Sequence, residues 1–206
     1  QYNVGIQYLN SDYNDWLKKL EFQGDIYYNK VENKIVAVPK GSGQYRWMMM
    51  NLGMVEIKGF DFSSSAIVGI TKELFINAKL TYTYQKAQDF TQRKGGTLQE
   101  STYGGQIPYI PWHSGSAILG INYNGWGLNY SFIYVGERYH NSANIRENYE
   151  QPWYTSDMSL IKDFKLRGYN LRLSAEVNNV LSQDYEVVLN YPMPKRNYKF
   201  SITVEI

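Results

Sequence analysis

The sequence of 206 residues contains no cysteine and only two histidines. Without cysteine the chain has no disulfide, no thiol nucleophile and no thiolate metal ligand. Two histidines are too few for a His-rich metal site. A net charge of +2 and the lack of a dense basic run argue against nucleic acid as a partner. No apolar run is long enough for a transmembrane helix. We therefore predict no metal site and no cofactor.

The sequence is rich in aromatic residues, and polar and apolar residues alternate along much of it. Aromatic residues make up 16% of the chain, with 20 tyrosines, and charged residues only 19%, a composition that favours strands. From Tyr169 to Asn178 apolar and polar residues alternate strictly, and the pattern returns from Tyr198 to Ile206. Because successive strand side chains point to opposite faces, each segment has one apolar and one polar face.

The same alternation predicts about nine strands with two kinds of connection. Short turns are predicted at 71–73, 124–125 and 165–168, where Asn124-Gly125 is a strong hairpin signal. Long polar loops are predicted at the opposite end, at 87–108, 139–152 and 186–195, together with a shorter loop at 38–44. The longer link over 10–19 is an exception on the short-turn side. A long third strand over 45–70 is predicted to contain a bulge or register change near 53–59.

Short turns at one end, long loops at the other and one apolar face per strand predict an all-β, antiparallel transmembrane β-barrel segment. Each apolar row fits the roughly 9–11 residues that cross a bilayer. Aromatic residues near the row ends would form the interface girdles: Tyr84, Tyr123, Trp126, Tyr134, Tyr154 and Phe164. A soluble antiparallel sandwich is the alternative, because its strands alternate too. Polar residues at nearly every second position and the loop asymmetry favour the barrel.

Six segments in order carry a resemblance to a known family. They are DIYYNKVENKIV (25–36), MNLGMVEIKGFDF (50–62), LTYTYQKAQDF (80–90), IPYIPWHSGSAILGINY (107–123), YSFIYVGERYH (130–140) and VNNVLSQDYEVVLNYPMPKRNYKFSITVEI (177–206). Together the order and spacing resemble the C-terminal part of TonB-dependent outer-membrane receptors, especially Bacteroidetes members. The resemblance covers essentially the whole chain. One departure is Ile206, since the family usually ends on an aromatic residue.

The resemblance implies a barrel of twenty-two strands with an N-terminal plug domain. The chain itself begins within a predicted strand and shows an odd number of strands, and an odd number does not close as a bacterial single-chain barrel. We therefore expect residues 1–206 to be the last nine strands of a larger barrel, without the plug. The expected location is the bacterial outer membrane.

The resemblance also implies a function: TonB-energised import of a scarce nutrient such as an iron-siderophore, cobalamin, haem or a glycan. Expected partners are outer-membrane lipid, the missing N-terminal barrel half and plug, a small-molecule ligand, and the TonB complex through the missing N-terminal region. Ligand contacts are expected from the loops, with these candidates: Tyr103, Tyr109, His140, Arg146, Tyr149 and Tyr191.

No enzyme is predicted, because only His113 and His140 could act as a general base. We expect His113, in the Pro-Trp-His-Ser step, to be structural. His140 would need an acid partner, for which Asp157 is the candidate. Two further alternatives remain at this point: a small passive porin, and a soluble β-sandwich that binds a ligand.

Overall fold

The computed structural model describes residues 1–11, 16–39, 47–91, 102–166 and 168–205. In chain order the elements are β1 (Tyr2–Ser11), β2 (Leu17–Pro39), β3 (Trp47–Gly69), β4 (Leu74–Asp89), β5 (Gly105–Gln106), β6 (His113–Tyr123), β7 (Trp126–Val135), β8 (Arg138–Tyr139), a 3-10 helix (Arg146–Asn148), β9 (Tyr149–Glu150), β10 (Trp153–Leu166), β11 (Tyr169–Asn178), β12 (Glu186–Val188), β13 (Tyr191–Pro192) and β14 (Asn197–Glu205). Within these ranges no helix has the length and apolarity needed to span a bilayer.

Nine long strands form one antiparallel sheet, which we call the wall. Its strand order is β1-β2-β3-β4-β6-β7-β10-β11-β14, and short β5 adds to β4. Every strand pairs with the next long strand of the chain, so each connection is a simple hairpin. Among the described residues β1 and β14 have one partner strand each. The predicted antiparallel all-β architecture of about nine strands is confirmed.

One face of the wall is apolar and solvent-exposed. The strand register places Val4 opposite Ile26, Ile26 opposite Phe60, and Phe60 opposite Tyr84, so apolar side chains form continuous rows across strands. At the first edge Val4 is 76% exposed, and at the last edge Phe200 is 78% exposed. A soluble sheet would bury such rows against a second layer, whereas here nothing in the described chain covers them.

The opposite face is a ladder of polar side chains that bond across neighbouring strands. The Ser65 hydroxyl donates to Glu21 (3.4 Å), and the Asn129 amide donates to the Ser159 hydroxyl (3.3 Å). Hydroxyl pairs extend the ladder, with Thr81 2.8 Å from Ser116 and Ser174 2.6 Å from Ser201. Cross-strand pairs of this kind stabilise a sheet without apolar packing.

Turn chemistry explains where two of the wall strands end. Asn124 and Gly125 have φ of 46° and 73°, as the predicted two-residue hairpin requires. β11 ends at Asn178, so the last loop begins at 179 and not at the predicted 186. The reason is Asn179, which has φ of 51° and whose side chain both donates to and accepts from the Gln183 backbone, each at 2.8 Å. The predictions for 40–44 and for 12–15 fall outside the described residues.

The predicted register change in β3 is wrong, although the strand is irregular there. Glu32 pairs with Met54 and Lys34 with Leu52, so the β2–β3 register is the same on both sides of Gly53. Asn33, between those partners, has φ of 54°. Leu52 and Val55 belong to one buried cluster, although residues three apart lie on opposite faces of a regular strand. The side-chain alternation therefore reverses at this point while the pairing continues.

Exposed aromatic residues occur near both ends of the apolar face. Tyr134 lies opposite Tyr154 at the loop end, and Tyr123 lies opposite Trp126 at the turn end. All four are at least a third exposed. This arrangement agrees with the girdles predicted from the sequence.

Candidate functional site

Complete burial occurs at the end of the wall that carries the long loops. Leu52, Val55 and Ala87 are 0% exposed and Ile107 is 1% exposed, and they form one cluster with Ile110 packed against it. Residues 102–112, 136–152 and 179–196 fold together over these strand ends. We call them the loop-end layer.

Gln106 joins the first loop to the second. Its side chain is buried and donates to the carbonyl oxygens of Ile110 (2.6 Å) and Glu137 (3.2 Å). Its backbone pairs with the side chain of Asn144, which donates to the Gln106 carbonyl (3.1 Å) and accepts from the Gln106 amide. The Tyr109 amide also donates to the Tyr139 carbonyl (2.9 Å). The two loops are therefore held together by polar contacts with defined partners.

Arg138 joins the second loop to the third. Its guanidinium is 3% exposed and donates to three backbone carbonyls, those of Gln151 (3.3 Å), Glu186 (2.7 Å) and Val187 (3.3 Å). Burial lowers the pKa of Arg138, and the negative charge of Glu150 opposes that effect. A buried cation satisfied by carbonyl dipoles fixes the two loops relative to one another, because any displacement leaves polar groups unpaired.

The β8–β9 hairpin presents several side chains at the outer surface of the layer. Tyr139 pairs with Tyr149, and their rings meet edge to face at 5.8 Å. The His140 Nδ1 lies 2.9 Å from Glu150 Oε1. The Tyr149 hydroxyl donates to Glu137 (2.9 Å), and that bond to a carboxylate raises the pKa of Tyr149. The hairpin is thus rigid, with its aromatic edges already oriented.

The structure brings some of the predicted ligand residues together and separates others. Tyr109, His140, Arg146 and Tyr149 all lie in the first two loops of the layer. Tyr103 follows β4 and contacts Phe90 edge to face at 5.3 Å. Tyr191 lies in the separate β12–β13 hairpin, opposite Val188. Arg138 links that hairpin to the others through the Glu186 and Val187 carbonyls.

Exposure divides the same candidates into surface and supporting residues. Tyr103, Arg146, Tyr149 and Tyr191 are exposed. His140 is engaged with Glu150, and their side chains are only 18% and 17% exposed. The Tyr109 hydroxyl is buried, which raises the pKa of Tyr109, and the residue has φ of 59°. The exposed four can reach a ligand from solvent, whereas His140 and Tyr109 support the layer from below.

Sequence reasoning missed the residues that build the layer. Gln106, Arg138 and Asn144 act through backbone groups as many as 49 residues away in the chain, and no local pattern signals such contacts. The carboxylate in contact with His140 is that of Glu150, whereas Asp157 accepts a hydrogen bond from the Asn179 amide (2.8 Å). Within the described ranges no three acidic or histidine side chains converge as a metal site.

His113 lies in the wall and not in the loop-end layer. Its Nδ1 is 2.7 Å from the Tyr82 hydroxyl, and its ring centroid is 5.0 Å from that of Tyr84. This placement agrees with the expected structural role.

Comparison with known proteins gives one family and a set of similar structures. A family model described as "TonB dependent receptor-like, beta-barrel" matches residues 1–180. The siderophore receptor PiuA from Acinetobacter baumannii is similar with a TM-score of 0.69 and 17% identity, over 97% of this chain and 27% of that one. The ferric-catecholate import receptor Fiu from E. coli K12 gives a TM-score of 0.64 and 17% identity, over 97% and 26%.

A third similar structure is named as a transporter of copper. The copper transporter OprC gives a TM-score of 0.61 and 17% identity, over 97% of this chain and 29% of that one. At such identities the similarity shows the fold alone. The chain spans between a quarter and a third of the length of these three structures.

Proposed function

This chain belongs to the TonB-dependent receptor β-barrel family, and on that premise we propose that it forms part of the wall of an outer-membrane importer. Residues 1–206 would be the C-terminal portion of a barrel of twenty-two strands. The remaining strands would extend the sheet from β1 and β14, and a plug domain would occupy the lumen. The resemblance to Bacteroidetes members stays a prediction.

The observation that carries this proposal is the opposite character of the two wall faces. Leucine, phenylalanine and tyrosine side chains stand exposed on one face, where lipid would cover them, and the other face bears the polar ladder. Transmembrane barrels have this arrangement, with an apolar outer band and a polar interior. A small porin would share it, but a soluble sandwich would not leave a whole sheet face uncovered.

We place the ligand at the loop-end layer, on the extracellular side. Arg146 and Tyr149 are exposed within four residues of each other, and Tyr103 and Tyr191 add aromatic surface from the neighbouring loops. A guanidinium beside tyrosine rings suits an anionic ligand with planar aromatic groups. A ferric-catecholate siderophore has this chemistry. One of the similar structures is named as a ferric-catecholate import receptor and another as a siderophore receptor. Cobalamin, haem and glycans are the alternative ligands.

Import would draw its energy from the TonB complex through the N-terminal region. This family comprises transporters and not enzymes, which agrees with the lack of a predicted catalytic residue. The contribution of this chain would then be to bind the ligand with its loops and to enclose the plug.

The test is uptake of a radiolabelled ferric-catecholate by the full-length receptor. The receptor would be expressed in cells that lack their own catecholate receptors, with and without a functional TonB. We expect uptake only where both proteins are present. Uptake that continues without TonB would instead favour the passive porin, and a full-length protein that stays monodisperse without detergent would favour the soluble sandwich.

Two substitutions test the placement of the ligand in the same cells. Arg146→Ala removes an exposed cation at the layer, and losing one charge-assisted contact should weaken binding roughly tenfold. Arg172→Ala removes an exposed arginine paired with Asp163, near the opposite end of the wall, and is the matched control. Equal affinities of the two variants would place the ligand elsewhere.

A further inference from the structure

Lys58 and Lys86 lie directly opposite one another on the apolar face of the wall. β3 pairs with β4 in a register that joins Lys58 to Lys86 and, two residues further along, Phe60 to Tyr84. Like charges directly opposite across two strands destabilise the pair. Among the described residues no carboxylate lies within 4.0 Å of either ammonium, and Glu56, two residues along β3, makes no ion pair with them. Within the described part of the chain, this repulsion is therefore not neutralised by a carboxylate.

The depth of the two lysines in the proposed membrane follows from their position relative to the aromatic row that contains Phe60 and Tyr84. They lie two residues nearer the loop end than Phe60 and Tyr84, about 7 Å at the usual strand rise. Lys86 Nζ is also 4.9 Å from the ring centroid of Trp112. Aromatic rows mark the boundary between hydrocarbon and head groups. If the chain is the barrel wall proposed above, both ammoniums are level with the head groups of the outer leaflet.

An apolar groove runs along the same face from Lys58 towards the middle of the wall. It has a volume of about 590 Å³, and its apolar lining comes from Val4, Ile6, Ile26, Phe60 and Phe62. Asp25 and Asp61 also border it, but strand alternation directs their side chains to the polar face. Gly24 forms part of its floor, and a Cβ placed there would meet only the Ile6 Cγ2, at 3.8 Å. The groove is therefore open because residue 24 has no side chain, and a larger residue would fill it without a clash with the backbone.

We propose that this face binds one phosphate-bearing lipid. Its phosphate would lie between Lys58 and Lys86, and one of its acyl chains would occupy the groove above Gly24. Charge complementarity selects an anionic head group, because two lysines on opposed strand positions, with no carboxylate partner among the described residues, favour an anion between them. Because the apolar groove continues from the lysine pair, a lipid with both a phosphate and an acyl chain fits this face better than free phosphate does. This inference rests on the membrane orientation in the proposed function and goes beyond it.

The test uses full-length receptor purified in a neutral detergent, with bisphosphorylated lipid A as the probe and native mass spectrometry as the readout. Lys58→Gln with Lys86→Gln should weaken retention of this lipid roughly 30-fold, the effect of two cationic side chains at an anionic surface. Gly24→Leu should also reduce retention, with the charges intact. The control is Lys72→Gln with Lys165→Gln, which removes the same charge from exposed positions at the turn end and should leave retention unchanged.

Two further probes separate lipid from its parts. Inorganic phosphate in excess should not displace the lipid. The parent protein should retain dephosphorylated lipid A only as weakly as the double lysine variant retains the phosphorylated probe. The inference is overturned if the double lysine variant retains the probe like the parent protein, or if the dephosphorylated lipid binds equally well. Either result, with TonB-dependent uptake intact, leaves the proposed function standing. Loss of membrane localisation in the parent protein would remove both.

Discussion

The loop-end layer and the wall below it are stabilised in different ways. At the loop end, Leu52 and Val55 of β3 are fully buried beneath the layer, and within the layer Arg138 is 3% exposed, with its guanidinium bonded to three carbonyls. In the wall, Val4 and Ile6 are each 76% exposed, although they belong to regular strands. The loop end thus combines a small buried apolar cluster with buried polar groups that have defined partners. The wall has backbone pairing and polar ladders, and in the proposed outer-membrane location its apolar packing would come from lipid.

One region of the chain is thus stabilised for contact with water, and the other has an apolar face that suits contact with hydrocarbon. The hydrophobic effect is the gain from moving apolar groups out of water. Apolar rows that face hydrocarbon are not in contact with water, so they need no protein layer to cover them. The loops face water, so they need a buried core and satisfied polar groups. The predictions below test this division, from the largest expected effect to the smallest.

The largest contrast is expected between two leucine-to-alanine substitutions. Leu52→Ala opens a cavity in the buried cluster beneath the layer and should lower the local stability there by about 2–5 kcal/mol. Leu160→Ala, on the apolar face of the wall, should cost less than about 1 kcal/mol, because lipid chains are as apolar as leucine and refill the space. Hydrogen exchange of the reconstituted receptor would measure both. Equal costs would mean that protein, not lipid, covers Leu160.

Arginine substitution at adjacent positions of β10 compares the two wall faces. Leu160→Arg places a charge near the middle of the lipid face and should destabilise the barrel by about 2–4 kcal/mol. Ser159→Arg points to the other face, where the strand register places Glu176 opposite, and should be tolerated. The measurement is the fraction of receptor that assembles as a heat-modifiable barrel. A reversed order would assign the two faces the other way round.

Arg138→Ala tests whether the polar contacts hold the loops together. Its loss removes the donor to the Gln151, Glu186 and Val187 carbonyls, and a hydrogen bond to a charged group contributes about 1.5–3 kcal/mol. Exchange should increase at amides of 179–196. Arg138→Lys keeps the charge but cannot reach all three carbonyls, so an intermediate result is expected. The same exchange rates in both variants and the parent would show that the apolar cluster alone fixes the loops.

Tyr149→Phe should have the smallest effect, less than about 1 kcal/mol, because water can replace the bond from this exposed hydroxyl to Glu137. Since the bond raises the pKa of Tyr149, its contribution is complete below the ordinary tyrosine pKa and is lost as pH rises through the raised one. Ultraviolet titration of the parent and of Tyr149→Phe would reveal the late-ionising tyrosine. Tyr103→Phe is the control. A difference spectrum with an ordinary tyrosine pKa would contradict the Glu137 contact.

Much of the wall could be predicted from the sequence because its signals are local. The alternation from Tyr169 to Asn178 lies entirely within β11, and Asn124-Gly125 predicts a hairpin where the structure has one. The predicted loop begins at 186, beyond the end of β11 at Asn178, because Asn179 terminates the strand through its own side chain. The alternation of polar and apolar residues does not indicate a turn that depends on hydrogen bonds from a single side chain.

The architecture of the candidate site could not be predicted in the same way. Exposed tyrosines and Arg146 can be named from loop composition, but Gln106 and Arg138 bond to carbonyls in other loops. Those partners are adjacent only after the wall has brought three hairpins side by side. The reversal of side-chain alternation near Gly53 is similar, since it coincides with a positive φ at Asn33 on the neighbouring strand, which alternation does not predict.

The unequal heights of the wall strands have a consequence for the cell surface. β2 and β3 contain 23 residues each, whereas β14 contains 9. At the usual rise, 23 residues make about 75 Å of strand, and roughly 9–11 residues suffice to cross a bilayer. If the wall lies in the outer membrane as proposed, the paired upper halves of β2 and β3 stand clear of it as a stiff ribbon. Antibodies, phage and proteases approaching the bacterium would meet that ribbon before they reached the ligand.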